Sequence, residues 1–150
     1  MEILIDNRQK RIELDQQELR KKTELILEGL GCSPSSTISI AIVDNSEMAE
    51  LNFRYRGKDG PTNVLSFCQS EGPHKSPQPG LLGDVVISGD RAADDAAELN
   101  YTTDEMVLYL LIHGVLHLVG YEHQEPSDAL TMEHKVELIF RQFYDSETSK

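Results

Sequence analysis

Residues 113–123 read HGVLHLVGYEH, so three of the chain's five histidines fall within eleven positions at the end of its most apolar stretch. Imidazole is the commonest metal ligand and the side chain whose charge changes nearest neutral pH. On a helix, the four-residue spacing of His113 and His117 puts them on adjacent turns, about 6 Å along the axis and about 40° around it. Between Met106 and Val119 they are the only side chains able to carry charge near neutrality. A buried neutral imidazole needs partners for both nitrogens, and a metal ion is a natural partner for one of them. His123 lies six residues beyond His117, and on a continuous helix it would point about 240° away. Gly120 offers the way back, because glycine takes the left-handed conformation that stops a helix and turns the chain. Three imidazoles then converge on one point. His74, in a loop rich in proline and glycine, and His134, on an acidic final helix, are expected to be solvated.

Three neutral imidazoles with a fourth position open are the donor set of a catalytic zinc ion, whereas structural zinc is closed by four protein ligands, often cysteines. No cysteine lies near the motif. With neutral ligands the ion keeps its double charge, which lowers the pKa of bound water and polarises a phosphoryl or carbonyl oxygen. Zinc peptidases with this histidine spacing place a glutamate directly after the first histidine as general base. Gly114 stands there instead, which disfavours peptide hydrolysis while leaving Glu122, in the turn, as an alternative base.

The elements that must hold this cluster follow from periodicity and turn chemistry. Alternation predicts a first strand over 2–6 and a second over 39–43, with Ile38, Ile40 and Ile42 on one face. Helical spacing covers 14–30, ended by Gly31. A short helix is predicted over 46–54, with Asp44 and Glu47 as a capping pair. Turn residues then lead to a strand over 64–67, and GDVVIS at 83–88 forms another. Residues 69–80 carry three prolines and two glycines and are read as an exposed loop. A helix over 91–99 precedes the histidine helix, which Thr102 and Glu105 cap. That helix is apolar almost all round and must be central and buried. Pro126 opens a last helix to about residue 143, and the tail at 145–150 is expected to fray. The sum is a single α+β domain over 1–150, with about five helices on one mixed sheet of about four strands. The metal site lies at the end of the buried helix.

Composition limits the partners. At 150 residues the chain suits one domain. Its longest apolar run, 107–112, is far short of a bilayer span, so no membrane association is expected. The opening MEILIDNRQKR shows no secretory pattern, and Cys32 and Cys68 form no CxxC. A reduced, cytoplasmic setting is the expectation. The net charge of −12 argues against nonspecific nucleic-acid binding. The charge is uneven: residues 90–150 hold 13 acidic and four basic side chains, while RYRGK concentrates Arg54, Arg56 and Lys58 in five positions. A local basic lining within an acidic protein is therefore compatible with the composition.

HGVLHLVGYEH resembles the H-G-x-L-H-L-x-G-Y-D-H signature of the YbeY family, metal-dependent endoribonucleases of ribosomal RNA maturation. LNFRYRGKDGPTNVLSF at 51–67 is similar to the family's L-N-x-x-Y-R-x-x-D-x-P-T-[DN]-V-L-S-F, and LLGDVVIS at 81–88 to its L-G-D-[IV]-[VI]-I. The three blocks stand in family order along a chain of family length. The resemblance implies one zinc ion on His113, His117 and His123, catalytic roles for Arg56 and His113, and substrate contacts from Arg56 and Lys58. It further implies single-stranded RNA as substrate, ribosomal RNA in particular, and the small ribosomal subunit and its assembly factors as partners. Glu122 replaces the usual aspartate, and Cys68 stands where proline is common; for Cys68 a small buried packing role is expected over a metal or redox one. Two other readings compete. One is a metallohydrolase acting on a peptide or small ester; the other is a ribosome-assembly binding protein whose metal only stabilises the fold.

Overall fold

The computed structural model describes residues 1–68, 80–121 and 126–148, with side chains left undescribed at 126–129 and 145–148. Four strands and five helices are found among them: β1 (Glu2–Asn7), α1 (Gln16–Gly29), β2 (Thr37–Val43), α2 (Asn45–Arg56), β3 (Val64–Cys68), β4 (Leu81–Ser88), α3 (Gly89–Leu99), α4 (Thr103–Leu118) and α5 (Pro126–Thr148). The strands form one mixed sheet in the order β1-β2-β4-β3. β1, β2 and β4 run parallel and β3 is antiparallel to β4 at the edge. Parallel neighbours need crossover connections, and α1 supplies one between β1 and β2.

Strand alternation sorts the sheet into two faces. Ile38, Ile40 and Ile42 of β2 and Val85 and Ile87 of β4 are all buried in one large core with α1, α3, α4 and α5. The opposite face carries Val43, Leu65 and Val86, which pack with Met48 of α2 in a smaller cluster. α4 lies in the larger core and touches α1, α3, α5, β3 and β4. Its ten buried residues surround the helix, as its sequence required. Thr102 and Glu105 form the full reciprocal capping box at its start.

Two helices run further at their C-terminal ends than the sequence suggested. α2 begins at Asn45, with Asp44 accepting from the Glu47 backbone N–H, and continues to Arg56 before Gly57 stops it at φ 65°. Arg56 is thus the last helical residue rather than part of a turn. α5 runs to Thr148, beyond the expected end near residue 143. Tyr144 accounts for the extra turns: its ring packs on Phe140 at 4.9 Å, and Lys22 of α1 donates to its hydroxyl at 3.3 Å. The loop at 69–79 and the last two residues lie outside the described residues.

Candidate active site

α4 leaves one stripe partly accessible. Tyr109, His113 and His117, each four apart, are half-buried, whereas the residues between them are buried. The two imidazoles meet edge to face with ring centroids 5.0 Å apart. Burial, reinforced by Glu137 and Glu133, pushes the Tyr109 phenol up from its ordinary value.

α4 ends as Gly120 demands. The Tyr121 N–H donates to Leu116 O at 2.9 Å and the Gly120 N–H to His117 O at 3.1 Å, with Gly120 at φ 106°. This is the paired arrangement that closes a helix through a left-handed glycine. The helix therefore ends at Leu118, one residue past His117. His123 and Glu122, like His74, lie outside the described residues, while His134 is exposed on α5 as expected.

The height and rotation of the histidine turn are set by the sheet beneath it. A Cβ placed on Gly114 would stand 2.6 Å from Val85 Cγ1, closer than packed atoms permit, and in tight contact at 3.2 Å with Ser66 Oγ. Only glycine allows the helix to lie this near the sheet. Ser66 Oγ donates to Gly114 O at 3.2 Å, and Cys68 Sγ to Leu118 O at 3.5 Å. Each carbonyl belongs to the residue that follows a histidine. Two residues along a strand cover about 6.6 Å and four along a helix about 6 Å, so the two contacts fall in register. Sequence reasoning missed Ser66, although a polar residue on the core-facing side of a strand was a usable signal.

Arg56 and Lys58 are exposed, at and just beyond the end of α2. Buried Asn52 ties this segment down, donating through Nδ2 to Gly60 O at 2.8 Å. α2 packs on the face of the sheet opposite α4, and its Tyr55 meets Phe67 of edge strand β3. A concavity of about 730 Å³ lies on the α2 side, walled by Tyr55, Leu51 and Phe67 over Ala41 and Val86. Nothing in the sequence pointed to it.

The family model described as Endoribonuclease YbeY matches residues 4–144. The chain belongs to the YbeY endoribonuclease family. Among its relatives, the endoribonuclease YbeY of Syntrophotalea carbinolica is 42% identical over 140 residues, covering 92% of this chain and 93% of that one. That of Syntrophus aciditrophicus is 39% identical, covering 93% and 88%. The fold is similar to the solution structure of a protein from Thermotoga maritima, with a TM-score of 0.67 and 25% identity over 98% of this chain and 92% of that one. Against the YbeY pattern, the Cys68 departure is a half-buried packing residue whose thiol serves the α4 carbonyl.

Proposed function

We propose that this YbeY-family chain is a zinc-dependent endoribonuclease that cuts single-stranded RNA, acting on ribosomal RNA in the cytoplasm with the small ribosomal subunit and its assembly factors. The observation that carries the reading is the pair of half-buried imidazoles 5.0 Å apart on one accessible stripe of an otherwise buried helix, followed at once by a left-handed glycine. Two imidazoles on adjacent turns fit a divalent ion, and a helix stopped by a left-handed glycine is compatible with a third donor from His123. A zinc ion held by His113, His117 and His123 would supply Lewis acidity and an acidified water.

The remaining work falls to the chain's own groups. Arg56 presents a planar, permanently charged fork suited to a phosphate and offsets negative charge as the phosphodiester is attacked. Lys58 holds the neighbouring backbone. Ser66 and Cys68 keep the histidine turn at fixed height, so that the ligand atoms do not wander. Gly114 leaves no space for a glutamate in the position peptidases use, which favours phosphodiester over peptide hydrolysis.

The test compares single-stranded RNA and casein on one metal-loaded preparation, with and without chelator, beside His113→Ala. Cleavage of RNA alone, lost on chelation and in the variant, is the expected result. Cleavage of casein, or RNA binding without cleavage by the wild type, would replace the endoribonuclease reading with one of its two competitors.

A further inference from the structure

The six residues FRYRGK at 53–58 alternate exposed aromatic and basic side chains. Phe53 is 63% exposed and Tyr55 59%. A single exposed aromatic is unremarkable on a protein surface, but two rings interleaved with three cations in one short segment are not. Arg54, Arg56 and Lys58 form no ion pair among the described residues, although Glu50 and Asp59 lie nearby in sequence. Attraction to the negative end of α2 accounts for Arg54 and Arg56 in its last turn. It does not account for the rings.

Helix geometry shows what the rings can do. Phe53 and Arg56 are three apart and so are surface neighbours about 60° around the axis. Tyr55 projects to the other side of Arg56, where its ring meets Phe67 edge to face at 5.1 Å and walls the 730 Å³ concavity. The Phe67 contact holds one ring in place beside an open space large enough for a nucleobase. A segment with aromatic faces and unpaired cations matches single-stranded nucleic acid, whose bases offer π-faces and whose backbone offers charge. An apolar partner would not use the cations, and duplex nucleic acid would not use the rings.

Resting on the endoribonuclease reading, we infer that Phe53 and Tyr55 are base-stacking platforms that flank Arg56 and seat the single-stranded RNA substrate along the end of α2. They are positioning residues that set how the strand lies. Stacking depends little on base identity, so this segment grips single-stranded RNA with weak sequence preference.

The chain contains no tryptophan, so Phe53→Trp introduces a unique fluorophore. Metal-loaded Phe53→Trp is mixed with a single-stranded oligoadenylate, and emission is read on mixing, before turnover, while a gel follows cleavage by the wild type. Saturable quenching is expected. Phe53→Ala and Tyr55→Ala should each weaken RNA binding roughly five- to a hundredfold without changing its salt dependence. Tyr55→Phe, which keeps the ring, should bind like the wild type. Arg54→Ala should instead reduce the slope of log affinity against log salt by about 0.7. Unquenched emission, or unaltered binding by Phe53→Ala, in a protein that still cleaves RNA would overturn the inference and leave the endoribonuclease reading standing. Emission that shifts to the blue with protein concentration in the absence of RNA would also overturn it, because a second copy would then cover the face. A wild type that neither binds nor cleaves RNA on the gel would instead remove the reading beneath it.

Discussion

Arg56 shows how one residue's surroundings bear on its role. Its motif was readable, but its setting was not: the sequence placed it in a turn, whereas α2 continues to it because Gly57 takes the left-handed cap there. At an exposed helix end, a guanidinium contributes about 0.3–1 kcal/mol to stability through the helix dipole. In a chain of this size that is a few degrees of melting temperature at most. If it holds the scissile phosphate, its loss removes a preorganised charge from the transition state, typically worth 10²–10³ in rate. Arg56→Ala is therefore expected to melt within about 4 °C of the wild type, keep its metal and lose nearly all RNA cleavage. Arg56→Lys should recover only part, because an ammonium keeps the charge and loses the two-pronged geometry. Normal cleavage by Arg56→Ala, or its unfolding, would make the residue idle or structural.

Among the elements, α4 and its contact with β3 and β4 carry the most information. Its burial, its capping box and its glycine stop were all legible, because each depends on residue types within a few positions of one another. The alternation of β2 likewise gave its buried face correctly. What escaped was how close the helix lies to the sheet, since Val85 and Ser66 are distant in sequence and touch Gly114 only after folding. The extra turns of α5 escaped for the same reason, as Tyr144 is held by Lys22 of α1. The close approach makes Gly114→Ala a sharp test. With a methyl 2.6 Å from Val85 Cγ1, either the helix or Val85 must shift, and overpacking of this kind costs about 1–3 kcal/mol. Melting should fall by about 2–12 °C. Trimming the partner in Gly114→Ala/Val85→Ala should yield less than the sum of the two single losses, because the two changes share one space. Strict additivity, or an unshifted melt, would show that the contact is not tight.

At the scale of the whole molecule, a metal ion held by His113 and His117 would be tied to stability through α4. A net charge of −12 makes the chain self-repelling, against which Arg54, Arg56 and Lys58 form one local basic segment at the end of α2. The histidine stripe, in contrast, sits on the element that touches three other helices and two strands. A ligand that binds the folded chain and not the unfolded one stabilises it by mass action, by about 2.7 kcal/mol when free ligand is a hundredfold above its dissociation constant. His113 and His117 are fixed by α4, while an unfolded chain holds them at no set distance, so a bound ion adds to folding free energy. Chelation of the metal-loaded protein is accordingly expected to lower the melting temperature by roughly 5–11 °C. The same chelator should have little effect on His117→Ala, whose site is already incomplete. This comparison separates metal loss from any direct action of the chelator on an acidic protein. An equal drop in both proteins would attribute the shift to the chelator, and no drop after verified metal removal would mean that the imidazole pair binds no ion coupled to the fold.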